Sequence, residues 1–126
     1  MIFTLLIPIF ALAAQVPLQS AEAPQPVLTL EQETAVRCGA AFAVVSAEQM
    51  RGSAAAGWPA LGTRGREYFV RTGARLMDET GATRPVIGAL FARSAAELRA
   101  GGNLKAKLES LRKPCLLLLD LTIPVP

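Results

Sequence analysis

Apolar residues in this sequence recur at spacings of three and four, and nowhere between residues 29 and 121 do they alternate as in a half-buried strand. A 3.6-residue period puts such residues on one side of a helix, and a chain with that pattern alone buries them by packing helix on helix. The pattern therefore predicts an all-α fold: one small, four-helix bundle-like domain over residues 29–121.

The punctuation divides this stretch. Thr29 and Gln32 form a capping-box pair, and Ala35, Cys38, Ala41, Phe42 and Val45 define a face that Met50 extends. Glu31 and Glu33 open this first helix and Arg51 closes it ahead of Gly52, the charge order that a helix dipole favours. Its span is 29–51. Residues 52–65 follow as a loop containing Trp58 and Pro59, with a short turn near Ala54–Ala56.

The second helix is expected from Arg66 to Thr80, with Phe69, Val70, Gly73, Leu76 and Met77 on one face and Gly81 as its stop. The third starts after Thr83, carries Pro85 in its first turn and ends at Gly101-Gly102. Asn103 caps the fourth, which Pro114 kinks or breaks because it lacks an N–H and clashes with the preceding turn. Cys115 to Leu121 is nearly all apolar and is expected to be fully buried. Residues 122–126 form a tail. Gly39, Gly73 and Gly88 are each interior to a helix, through close helix–helix approach or by chance.

Met1 to Ala14, MIFTLLIPIFALAA, is too short to span a bilayer and fits the apolar region of a signal peptide. Ala11-Leu12-Ala13 supplies small residues for cleavage near Ala13/Ala14. No basic residue precedes the apolar run. Residues 15–28, with Pro17, Pro24 and Pro26, read as a flexible or polyproline-like leader. The expected mature chain is periplasmic or secreted and does not span the membrane. Its leader also explains part of the 52% hydrophobic content.

The chain has 126 residues, two cysteines and no histidine. That excludes histidine-based triads and metal sites, a Cys₄ zinc site and an ordinary iron–sulfur cluster. No cofactor or metal is expected. In an oxidising compartment Cys38 and Cys115 would pair as a structural disulfide. Closing a loop of that length would stabilise by roughly 4 kcal/mol on the chain-entropy account. Buried free thiols and redox chemistry are the competing readings.

Ten of the 13 basic residues are arginines. Arg64, Arg71 and Arg75 follow one side of the second helix, and with Arg66 and the preceding Gly62–Gly65 segment they could converge on a small anion or anionic lipid. Ordinary pairs with Glu67, Asp78 and Glu79 compete with that reading. Trp58 and Tyr68 mark a partner surface unless Trp58 folds back over the core. A net charge of +3 without a basic stripe gives no reason to expect nucleic acid as a partner. Glu67, Asp78, Glu79, Glu97 and Asp120 form no recognisable catalytic frame. Ser46, Ser53, Ser94 and Ser110 have neither a GxSxG elbow nor a histidine partner.

The order Arg37-Cys38-Gly39-Ala40-Ala41-Phe42, then GREYFVRTGARLMDETG from Gly65 to Gly81, then Pro114-Cys115 with leucines and Asp120, resembles small exported helical proteins of alphaproteobacteria. The likeness covers about residues 29–120 and implies compartment and helical fold, with no activity or functional residue attached. A looser similarity, resting on two cysteines in a helical chain, is to small periplasmic acid-stress chaperones. The expected function is non-enzymatic: a structural, interaction or chaperone-like role with an envelope protein or an anionic surface as partner.

Overall fold

A computed structural model describes residues 25–53 and 56–125. The signal-peptide segment 1–14, most of the leader and Pro126 lie outside the described residues. The described residues form four helices in chain order: α1 (Leu30–Met50), α2 (Gly62–Thr80), α3 (Arg84–Arg99) and α4 (Leu104–Thr122). Among the described residues there is no strand.

α1 is the central element. Its expected apolar face widens into burial on nearly every side, because α1 packs against each of the other three helices. Cys38 through Phe42, Val44 and Val45 are all buried. Small residues make this possible: CGAAFAVV contains no charge and mostly short side chains, so neighbouring helices close on it from several directions. The capping box forms as expected, with the Gln32 amide donating to Thr29 Oγ1 at 3.2 Å and the Thr29 amide to Gln32 Oε1 at 2.9 Å. Gly52 closes the helix with φ +79°.

Two of the three interior glycines are not close-approach positions. At Gly39 a Cβ would meet the Phe91 ring edge, with Cδ1 at 2.9 Å and Cε1 nearer still, and Tyr68 Cε1 at 3.3 Å. Gly39 lets α3 approach α1. At Gly73 and Gly88 a Cβ would meet nothing within 4 Å.

α2 begins four residues earlier than expected, at Gly62, so the glycine segment ahead of Arg66 is its first turn rather than a loop. No local side chain caps it. The cap comes from α1: Gln49 Oε1 accepts the Leu61 N–H at 3.1 Å while its Nε2 donates to the Pro59 carbonyl at 2.7 Å. A tertiary cap of this kind has no local sequence signature.

Asn103 occupies the N-cap position of α4 without a side-chain cap bond, in the left-handed region at φ +59°. The junction is held instead by Lys107, whose Nζ donates to the Ala100 carbonyl at 2.7 Å and to Glu97 and Leu98 carbonyls at 3.3 and 3.4 Å. α4 continues through Pro114. The proline faces solvent, where water can satisfy the carbonyl that it leaves unpaired.

The expectation that Cys115–Leu121 is fully buried is corrected: only Cys115 and Leu119 are buried, and Leu117 and Leu121 are 62% and 72% exposed. α4 lies at the edge of the bundle, so one stripe of it reaches the core and the opposite face meets solvent.

Cys38 and Cys115 form a disulfide between α1 and α4, with Cα atoms 5.1 Å apart. The buried apolar residues form two clusters. One surrounds the disulfide and includes Phe42, Trp58, Leu61, Tyr68, Leu108 and Leu119. The other joins Val36, Leu76, Ile87, Leu90 and Phe91, with Leu28, Phe69 and Met77 packed against it.

Candidate functional site

The four arginines of the expected anion site do not converge. Arg64 Nη2 donates to Asp120 Oδ1 at 2.9 Å and to the Ile123 carbonyl at 2.8 Å, and Arg71 Nη1 donates to the Thr122 carbonyl at 3.3 Å. These guanidiniums complement the negative C-terminal end of α4. Arg75 stands between Glu79 at 3.6 Å and Glu31 at 3.9 Å. Arg66 points away from that group and lines a depression between α1 and α2. Three of the four charges are already answered by this chain's own carbonyls and carboxylates.

The expected partner surface also changes. Tyr68 is fully buried, and its hydroxyl donates to the Ala35 carbonyl at 2.8 Å, so it presents nothing to a partner. Burial pushes its phenol up to about 12, offset in part by the Thr72 hydroxyl and the Arg75 charge. It is a neutral structural group at physiological pH. Phe42 stands at the centre of the aromatic cluster, edge-on to Tyr68 at a centroid distance of 4.9 Å and to Trp58 at 6.3 Å. Trp58 is 9% exposed and folds back over the core.

One edge of Trp58 borders a cleft of about 540 Å³ with Glu48, Ser53, Leu104, Leu108 and Glu109. Glu48 accepts from Arg51 Nη2 at 3.1 Å and Ser53 Oγ at 2.9 Å, and lies 3.8 Å from Arg99 Nη1. Arg112 hydrogen-bonds Glu109 and holds its carboxyl below the usual range. These are charges satisfied within the chain. Among the described residues no group of histidine, cysteine, aspartate or glutamate side chains is placed to hold a metal ion. No described helix is long and apolar enough to cross a membrane.

What remains uncovered along α2 is a largely apolar flank. A depression of about 330 Å³ between α2 and α3 is lined by Phe69, Val70, Gly73, Met77, Ile87 and Phe91 among others. Phe69 and Phe91 rings meet at 4.7 Å on its floor. The depression between α1 and α2, about 320 Å³, shares Phe69 and is bordered by Met50. Val70 is 67% and Met50 87% exposed. The two recesses run along one flank of α2. Sequence periodicity places Phe69, Val70, Gly73 and Met77 on the same face as Leu76, yet only Leu76 of these is fully buried. The excess apolar width of α2 was the available signal.

No protein-family model, curated protein or solved structure matches the chain.

Proposed function

We propose that this chain is an exported, non-enzymatic interaction protein of the cell envelope, chaperone-like or scaffolding, which engages partners through the apolar flank of α2. The observation that carries the reading is the pair of open recesses meeting at Phe69, with Val70 and Met50 exposed on their lips. Exposed contiguous apolar surface rimmed by polar residues marks interaction sites in soluble proteins. The methionines Met50 and Met77 suit such a surface, because an unbranched thioether adapts to differently shaped partners.

Export is supported by the Met1–Ala14 segment with its Ala11-Leu12-Ala13 site and by the Cys38–Cys115 disulfide, a bond that persists in oxidising compartments. A periplasmic or secreted location follows from this reading.

The test is suppression of aggregation of a heat-denatured client by the purified exported chain, together with crosslinking in envelope extract. Suppression that weakens in Val70→Glu and Met77→Glu, with melting unchanged, is the expected result. A chain that neither delays aggregation nor crosslinks to any envelope protein across salt and pH sinks the reading.

A further inference from the structure

Gly73 of α2 and Gly88 of α3 both line the α2–α3 recess, and neither is demanded by a contact within the chain, since a Cβ at either would meet nothing within 4 Å. Glycine in a helix interior is a poorer choice than alanine. What these two positions provide is depth, since side chains there would fill the recess between the helices. Ridges of a docking helix enter grooves of this kind, and small residues let the backbones come close. Arg66 to Met77 spans roughly 16 Å along α2 at 1.5 Å per residue, enough for about three turns of a docked helix.

Charge selects the occupant. The lining of the two recesses holds two cations, Arg66 and Arg84, towards opposite ends, and no carboxylate. Among the described residues neither arginine forms an ion pair. Glu67 and Asp78 stand on the outer crest of α2, beyond the lip, by the 100° step of a helix. A second copy would bring its own arginines to the lining, and a two-fold pairing of the groove with itself would set guanidinium against guanidinium, which opposes association. A bilayer takes up a broad protruding apolar face, whereas here Phe69, Met77 and Phe91 are set back between the helices and only Val70 and Met50 stand out on the lips.

We infer that the flank of α2 docks an apolar helical segment of a partner protein, with carboxylates towards both ends of that segment to meet Arg66 and Arg84. This rests on the interaction reading above and specifies the partner that it left open. The apolar side of the docked helix fills the recesses on either side of Phe69.

The test is selection from a display library of about 16-residue peptides against the exported chain, with the Gly73→Leu/Gly88→Leu chain as counter-target. Enriched peptides are expected to repeat apolar residues at i, i+3 or i+4 and i+7, with Asp or Glu towards both ends. Their binding should fall at least tenfold with the filled groove and at least tenfold with Arg66→Glu/Arg84→Glu, while both variants melt as cooperatively as the parent. The charge-reversed variant alone decides the matter if the filled groove fails to fold. No enrichment, enrichment without acidic bias, or equal binding to the variants overturns the inference. A dimer abolished by filling the groove, or tighter binding to phosphatidylglycerol vesicles than to any selected peptide, also overturns it. A filled-groove chain that still suppresses client aggregation removes this inference and leaves the interaction reading intact. A parent chain without suppression or any crosslinked partner removes both.

Discussion

Arg64, in the first turn of α2, donates to the Ile123 carbonyl at 2.8 Å just past the end of α4, and the same nitrogen reaches Asp120 at 2.9 Å. The pattern recurs where Lys107 of α4 binds the last carbonyls of α3. Cations from one helix thus complete the C-terminus of another, where unpaired carbonyls and the dipole both favour positive charge. Of the four arginines that sequence spacing offered to an external anion, Arg64 and Arg71 are internal caps and Arg75 is paired with carboxylates.

Removing the Arg64 side chain tests this assignment. Arg64→Ala should destabilise by about 1–2 kcal/mol, since it deletes charge-assisted bonds to a part-buried carbonyl. Asp120→Asn should cost less than about 0.5 kcal/mol, because Asp120 is largely exposed and its ion pair is screened. Chemical unfolding gives the ordering. Equal losses would mean that the ion pair, rather than the carbonyl cap, holds the two helices.

The three interior glycines should separate by sign. Gly39→Ala places a methyl group against the Phe91 ring and should destabilise by about 1–3 kcal/mol. Gly73→Ala and Gly88→Ala face open space and should each stabilise by about 0.5–1 kcal/mol. Thermal melts of the three variants check this. A destabilised Gly73→Ala or Gly88→Ala would show that the α2–α3 recess is tighter than its geometry indicates.

Loss of the disulfide should be the most damaging covalent change. Cys38→Ala/Cys115→Ala opens a closure with sequence separation 77 and should cost roughly 4 kcal/mol on the chain-entropy account. That is a large share of a stability of about 5–15 kcal/mol. Denaturant midpoints with and without reductant measure it. A reduced chain as stable as the oxidised one would reduce the bond to a passive link.

The single tyrosine provides an alkaline probe. An unfolded chain ionises a phenol near 10, whereas burial holds Tyr68 neutral up to about 12. The folded-state value is raised, so the contribution is complete below pH 10 and is lost as pH rises from 10 towards 12. The loss over that window is about 2–3 kcal/mol. Tyrosinate absorbance should rise together with unfolding, and Tyr68→Phe should flatten the dependence. Ionisation near 10 without unfolding would show the hydroxyl to be open to solvent.

Local information was enough for much of the frame. The Thr29–Gln32 box, the stops at Gly52 and Gly81 and the helical period are decided by residues within a turn of one another, and the sequence displays them directly. The early start of α2 was hidden because its cap is Gln49, on another helix. The candidate site was only half legible: α2 carries more apolar width than one core contact needs, but which residues stay uncovered depends on its neighbours.

What the sequence by itself determined is the helical class, the approximate spans of its helices and two cysteines suited to one bridge. Those follow from periodicity, caps and composition. Tertiary structure decided which charges are consumed and which surfaces remain open. It turned Arg64 and Arg71 into caps, buried Tyr68, exposed Leu117 and Leu121, and left Gly73 and Gly88 facing an empty recess. The physical reason is that hydrogen-bond and packing partners far apart in the chain become neighbours only when α1 takes the central place and the other three helices close around it.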